Sequence, residues 1–230
     1  DAMKSAFVNM VSHELRSPLG TIKQQIAVIL EGLVGELNEK QAEMLSRAQV
    51  KIQNLLKLIN DLLDVAKIES GHGFEEQMPL DLHHLLEDLL TFMQDKAQTQ
   101  QVDLKLEANG EIPLIQADRH SMEEVFNNLI SNAINYSPDG GQVRVILAPQ
   151  DNFLEILVCD TGVGIDPEEL PKIFDKFYRV KHPKTRQVVG TGLGLAIVKG
   201  VIDSHRGSIE VMSEPGAGTT FRIHLPTLGD

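Results

Sequence analysis

Three short clusters in this sequence contain side chains suited to holding a nucleoside polyphosphate. Gly190-Thr191-Gly192-Leu193-Gly194-Leu195 opens the helical run Ala196 to Val201. Glycines at a helix start let backbone N–H groups close on an anion at the positive end of the helix dipole. The spacing lacks the third glycine of a dinucleotide fingerprint, and no lysine follows as a P-loop requires, so another phosphate-binding architecture is needed. Asp160-Thr161-Gly162-Val163-Gly164-Ile165 comes directly after the apolar run Leu154 to Cys159. A carboxylate at that strand end can accept a hydrogen bond from the amino group of adenine and would repel the carbonyl of guanine, favouring ATP over GTP; the alternative is a plain Asp-Gly turn. Asn128 and Asn132 stand four apart, on one face of a helix, where amides cost helix propensity. An amide oxygen is a hard donor suited to Mg2+, which takes phosphate oxygens among its other ligands. Lys176, Arg179, Lys181, Lys184 and Arg186 form a strip of cations with no acid among them. On a chain of net charge −12, such a strip calls for a specific anion.

The elements that must position these clusters fall into two regions. Phe7, Val11, Leu15, Leu19, Ile22, Ile26, Ile29 and Leu33 recur at steps of four and three, and Leu45, Ala48, Ile52, Leu55, Ile59, Leu62 and Ala66 repeat as a heptad seam. Gly32, Gly35 and Asn38 between them supply turn residues, which predicts an antiparallel helical hairpin. Seams of this length are completed by a second copy, so a homodimeric four-helix bundle through residues 4 to 69 is expected. Ser70, Gly71, His72 and Gly73 end the helical pattern. The expected organisation is a hairpin over 1–70, a linker over 71–77 and a second domain over 78–230. In the second domain strands are predicted at Val102–Leu106, Pro113–Ala117, Gln142–Leu147, Leu154–Cys159, Ser208–Met212 and Thr219–Leu225. Helices are predicted near 81–99, 119–135, 167–177 and 192–205. That order implies an all-α hairpin followed by an α+β sandwich, helices on one face of a mixed sheet.

Composition narrows the function classes. The 230 residues hold one cysteine, Cys159, which excludes an internal disulfide and a thiolate cluster for zinc. The acidic balance argues against duplex or anionic-lipid binding, and no apolar run approaches the length of a membrane span. The chain opens at Asp1 inside a helical pattern, which implies a piece of a longer protein, cytoplasmic itself, with any inner-membrane anchor on a missing upstream segment. His83 and His84 are adjacent, so their side chains diverge around a helix and no metal pair is expected.

Taken jointly, the three clusters resemble the ATP-binding domain shared by sensor histidine kinases and by the gyrase, heat-shock chaperone and mismatch-repair ATPases. Asn128-Leu129-Ile130-Ser131-Asn132-Ala133 resembles the N box and Asp160 to Gly164 the G1 box. Ile173-Phe174-Asp175-Lys176-Phe177-Tyr178-Arg179 resembles the F box, Gly190 to Leu195 the G2 box, and Gly216-Ala217-Gly218-Thr219-Thr220 the final glycine turn. The resemblance implies an ATP site drawing on Asn128, Asn132 and Tyr136, on Asp160, Gly162, Gly164 and Ile165, on Phe177, Arg179 and Lys181, on Gly190, Thr191, Gly192, Leu193, Gly194 and Leu195, and on Thr220. It places Mg2+ on Asn132. Residues 178–189 become a lid, ordered by the triphosphate, hinged at Gly190 and anchored at its start by Phe174 and Phe177. The hydrolytic relatives carry a glutamate where Asn128 stands, so rapid ATP hydrolysis is expected to be poor.

His13-Glu14-Leu15-Arg16-Ser17-Pro18-Leu19 is similar to the phosphoacceptor motif of histidine kinases, and the likeness then covers nearly the whole chain. His13 falls between seam positions 11 and 15, toward solvent, and Pro18 removes an N–H that Glu14 would have bonded. A neutral imidazole is a competent nucleophile, and Glu14 is placed to orient it and take its other proton. The resemblance implies attack on the γ-phosphate of ATP, then transfer of the phosphoryl group to an aspartate of a response-regulator receiver domain on another chain. Ser17, where threonine is frequent, still offers a hydroxyl for phosphatase activity toward that partner. Asn135 stands where lysine or arginine is common, and His205-Arg206-Gly207 replaces a more usual His-Gly-Gly turn.

Overall fold

The computed structural model describes the backbone of residues 2–70, 77–188 and 190–228, and side chains over those ranges apart from residues 2–10, 12, 13 and 70. Most of the expected linker, residues 71–76, and the solvent-facing direction expected of the His13 side chain lie outside the described residues. The chain divides into two compact units.

The first unit is a helical hairpin of α1 (Ala2–Leu30) and α2 (Glu39–Ser70). The chain turns between them at Gly32 and Gly35, whose φ angles of 76° and 127° disfavour any side chain. A capping box starts α2: the Asn38 N–H donates to Gln41 Oε1 at 3.0 Å, and the Gln41 N–H donates back to Asn38 Oδ1 at 2.9 Å. Pro18 lies inside α1, which runs through it without interruption. Ile26, Ile59, Leu63 and Ala66 are buried, and Arg16 Nη2 donates to Asn60 Oδ1 across the hairpin at 2.7 Å.

The second unit is a sandwich of one helical layer and one sheet. Its elements are β1 (Met78–Leu80), α3 (Leu82–Thr99), β2 (Val102–Ala108), β3 (Ile115–Ala117), α4 (Arg119–Asn135), β4 (Gly141–Gln150), β5 (Phe153–Asp160), α5 (Gly194–Ser204), β6 (Ser208–Glu214) and β7 (Gly218–Pro226). The main sheet has the order β2-β4-β5-β7-β6, with β2 and β4 parallel and the other neighbours antiparallel. β1 and β3 pair separately.

Strand periodicity decides the layers. Val143, Val145 and Leu147, then Leu154, Ile156 and Val158, then Phe221, Ile223 and Leu225 alternate inward, where Leu86, Met93, Phe126, Leu129, Ile197 and Val201 of the helices meet them. Each such side chain stabilises the unit by roughly 1.5–3 kcal/mol on burial. The opposite face is covered by polar side chains such as Arg222 and His224, whose Nε and Nε2 each lie 3.3 Å from Glu155 Oε2.

One expected helix is absent: residues 167–177 form only a single 3-10 turn, Leu170–Lys172. Pro171 supplies no N–H to extend a helix from Pro167, and Phe177 takes a left-handed φ of 64°, which stops any continuation. The strand β1 was not anticipated; three residues leave too short a period to read.

The start of α4 is held by a buried polar junction. Asp118 caps the helix by accepting from the His120 and Ser121 N–H groups at 3.2 and 3.0 Å, and from the Ser121 hydroxyl. The Asp118 N–H donates to His205 Nε2 at 3.3 Å, while His205 Nδ1 lies 2.8 Å from the Val201 carbonyl. Those partners fix the Nδ1–H tautomer and tie the end of α5 to the beginning of α4. The replaced turn at His205-Arg206-Gly207 keeps this structural function. Among the described residues no helix is long and apolar enough to cross a membrane.

Candidate functional site

α4 links two glycine turns along one face. Asn128, Asn132 and Tyr136 follow one another at intervals of four. At one end Asn128, buried, lies so close to Gly194 that a Cβ there would sit 2.8 Å from Asn128 Oδ1. At the other end the Tyr136 carbonyl accepts from the Val163 N–H at 3.0 Å, and a Cβ on Gly162 would lie 2.3 Å from that carbonyl. Asn132 stands between the two turns, half-buried, and among the described residues no hydrogen bond takes up its side chain.

The amino ends of the helices differ in a telling way. α2, α3 and α4 begin with side-chain caps from Asn38, Asp81 and Asp118. α5 begins at Leu193 with no side-chain cap. Its first turn, the positive end of the helix dipole, lies beside Asn128. Gly192, with φ of 74°, allows the turn: a Cβ would stand 2.7 Å from the Phe177 carbonyl carbon.

Asp160 ends β5. Its Oδ1 accepts from the Gly162 N–H at 2.9 Å and from the Thr219 N–H at 3.2 Å. Burial pushes the carboxyl up to about 6, against the lowering effect of those two donors. The loop after it is built against the β6–β7 turn. The Gly216 N–H donates to the Val163 carbonyl at 2.8 Å, and the Ile165 N–H donates to Ser213 Oγ at 2.8 Å. Gly164, φ 69°, leaves no room for a Cβ, which would meet the Glu214 carbonyl oxygen at 2.0 Å.

The cationic strip forms a loop closed at its base, where the Phe177 N–H donates to the Gly192 carbonyl at 2.8 Å. Phe174 anchors the approach, packed edge-on against Phe221 at 6.5 Å. The Phe177 ring is 61% exposed, so Phe177 holds the loop through its backbone and not through its ring. A 3-10 turn, Pro183–Thr185, lies within the loop with Thr185 buried, so the segment has internal anchors that its composition did not suggest. Lys184 Nζ pairs with Asp139 Oδ2 at 2.5 Å, and Arg179 Nη2 donates to the Val188 carbonyl at 2.6 Å. The Tyr178 hydroxyl donates to Glu169, which pushes the phenol up to about 12.

Beneath the loop is a cavity of about 740 Å³, lined from Ser137 to Gly140, Thr161 to Gly164, Asp166 to Glu169 and Tyr178 to Lys184 in part, with Pro215 and Gly216. Of the expected site residues, Gly162, Gly164, Arg179 and Lys181 line it, while Asn128, Asn132 and Asp160 do not. Leu193 is fully buried, so only its backbone faces the turn. Leu195, Thr191, Ile165 and Thr220 are half-buried and Gly190 is exposed. It is the Thr219 N–H, not Thr220, that reaches Asp160. Thr219, Ser213, Asp139 and Glu169 were not singled out from the sequence. The pairing Asp160↔Thr219 follows from strand register, which single motifs do not reveal.

In the hairpin, His13, Glu14 and Ser17 all lie in α1, with Glu14 and Ser17 exposed. The Ser17 carbonyl accepts from Thr21 Oγ1 at 3.2 Å.

Comparison with known proteins finds two families in the chain. Residues 3–71 match the His Kinase A (phospho-acceptor) domain, and residues 117–229 match the Histidine kinase-, DNA gyrase B-, and HSP90-like ATPase family. The chain is 34% identical over 225 residues to the phosphate regulon sensor protein PhoR of Pseudomonas aeruginosa, covering 98% of this chain and 50% of that protein. It is 34% identical over 228 residues to the histidine protein kinase DivJ of Caulobacter vibrioides, covering 99% of this chain and 38% of that one. The chain therefore spans half or less of these relatives' length. Full-length ShkA in complex with AMPPNP is similar in structure, with a TM-score of 0.80 and 25% identity, over 98% of this chain and 47% of ShkA. The catalytic domain of histidine kinase ThkA covers 66% of this chain, and the match covers 97% of that domain, with a TM-score of 0.59 and 27% identity.

Proposed function

The chain belongs to the sensor histidine kinases, enzymes that phosphorylate one of their own histidines from ATP and pass the phosphoryl group to a response regulator, and we propose that it does so with His13 as the acceptor. The observation that supports the reading is the start of α5, without a side-chain cap and beside Asn128, with the Asp160 carboxylate near the other end of α4. A nucleotide lying along that face puts its amino group at Asp160 and its phosphates at the N–H groups of Gly194 and its neighbours. Arg179 and Lys181 of the lid meet the phosphates from the other side.

Asn132 fits a magnesium ligand, since among the described residues no hydrogen bond takes up its amide oxygen. Bound there, Mg2+ supplies charge neutralisation of the phosphate oxygens. The chain's own residues do the remainder. One nitrogen of the His13 imidazole attacks the γ-phosphorus as its bond to the β–γ bridging oxygen breaks and ADP leaves, and Glu14, the next residue of α1, accepts the proton from the other nitrogen. The phosphoramidate then serves as donor to an aspartate of a receiver domain. Ser17, one turn on and exposed, has a hydroxyl available to position water for dephosphorylating that partner. Asn128 offers no carboxylate base for water, so ATP is spent on His13 in preference to hydrolysis.

The hairpin is the dimer-forming part in this reading, residues 1–70, with 78–230 as the catalytic part. Leu15 and Ile22 on α1, and Leu55 and Leu62 on α2, are spaced by seven and are 45%, 43%, 44% and 37% exposed in one chain. A second hairpin completes the bundle by covering them. Light scattering is expected to give a dimer for the chain at micromolar concentration and a monomer for the double variant Leu55→Lys, Leu62→Lys. A monomeric unaltered chain would remove the bundle.

The raised Asp160 carboxyl gives a pH test of the nucleotide site. Adenine's amino group needs the ionised acceptor, so ATP binding draws the carboxyl below its free value near 6 and releases a proton. Affinity therefore rises several-fold between about pH 5.5 and 7.5. Stability has the opposite sign: the folded state holds this proton more tightly than the unfolded chain, so the group's contribution declines as pH rises toward 6. Titrating Asp160→Asn cancels the ionisation of the nucleotide itself. Identical pH profiles in both proteins would place adenine elsewhere.

A further inference from the structure

α4 presents no cation along its last eleven residues, Val125 to Asn135, and its carboxyl end adds the negative end of a helix dipole. The neighbouring loops add Asp139, Asp166, Glu168 and Glu169. In the proposed placement the phosphates meet the lid cations, the N–H groups that open α5 and the amides of α4, but no cation on α4 itself. The adjacent helix α3 corrects that imbalance. Lys96, in its last turn, extends its ammonium to within 2.7 Å of Ser131 Oγ. Ser131 Oγ also accepts from Asn135 Nδ2 at 3.5 Å, one turn further along α4. The three side chains form a short chain, cation to hydroxyl to amide, immediately beside Asn132.

We infer that Lys96 is a phosphate-binding residue of the ATP site, delivered from α3 to the side of α4 that lacks its own cation. The inference rests on the proposed placement of ATP along α4. Lys96 is exposed and its four-carbon stem is flexible, so the ammonium reaches past Ser131 with only side-chain rotation. Ser131 holds it near the site between nucleotides, and Asn135 accepts the space that a cation on α4 would otherwise fill. The same logic gives the lid and α3 opposite sides of one anion.

The experiment is nucleotide titration of the full chain and four variants. Lys96→Met keeps the apolar stem and removes the charge; ATP and ADP affinity is expected to fall about tenfold, the effect of one charge-assisted hydrogen bond, and adenosine affinity to stay within about twofold. Lys96→Arg should retain most of the affinity. Lys105→Met removes another exposed cation, on β2 and paired with Asp103, and should change nothing, which separates a local contact from net charge. Asn135→Lys introduced into Lys96→Met should restore binding by putting the cation on α4 itself. Unchanged ATP affinity in Lys96→Met, equal losses in Lys96→Met and Lys105→Met, or no recovery with Asn135→Lys would overturn the inference while leaving the ATP site standing. An unaltered chain that binds no ATP would overturn both.

Discussion

His13→Ala is expected to abolish phosphoprotein formation, a loss on the order of 10³-fold or more, while ATP affinity stays within about twofold of the unaltered chain. The nucleophile is the only thing removed. Alanine has the highest helix propensity, so α1, which runs unbroken from Ala2 to Leu30, gains slightly in local stability. The residues proposed to bind nucleotide, from Lys96 onward, all lie outside α1 and α2. Loss of nucleotide affinity together with phosphorylation would mean that the hairpin contributes to ATP binding. Retained acid-labile phosphate would mean that another histidine is the acceptor. Both are readable in one experiment, with filter binding of nucleotide beside gel detection of label.

Gly162→Ala is the second large effect, and its origin is geometric. The added Cβ would stand 2.3 Å from the Tyr136 carbonyl oxygen and 2.9 Å from both Asp160 Oδ1 and Ser137 Oγ. All three groups are already committed, Ser137 Oγ donating to the Ala133 carbonyl at 2.8 Å. The Tyr136 carbonyl receives the Val163 N–H, and Asp160 receives the Gly162 N–H. Relief requires the turn to move away from α4, which separates the adenine acceptor from the asparagine face. Overpacking of this kind costs about 1–3 kcal/mol, or roughly five- to 150-fold in nucleotide affinity. Gly20→Ala, in α1 with no atom within 4 Å of the new methyl group, should leave nucleotide binding unchanged. Equal behaviour of the two variants would show that the turn at Gly162 does not shape the site.

The legible parts of the molecule were those whose signal is local or periodic. The two seams in the first seventy residues predict α1 and α2, and Asn38 marks the start of α2 through its exchange with Gln41. The alternating runs predict all five strands of the main sheet to within a few residues. The run 167–177 misled because Glu168, Glu169, Lys172 and Lys176 are good helix formers, whereas Pro171 and the left-handed Phe177 decide the backbone. Motif reading also favoured side chains over backbone. It singled out Leu193, Phe177 and Thr220. The structure uses the backbone of Phe177 to close the lid and the N–H of Thr219 to hold Asp160. The pairs Lys184–Asp139 and Tyr178–Glu169 join segments 45 and nine residues apart, and nothing in the spacing of either partner announces them.

The most direct measurement is the fate of the terminal phosphate. The full chain is incubated with ATP labelled at that position, and the protein-bound and free label are followed over time. The account predicts label on the protein, labile in acid and stable in alkali, recovered on the peptide that contains His13, with little free phosphate released. Steady release of free phosphate with no protein-bound label, or label recovered on any peptide other than that of His13, would contradict it.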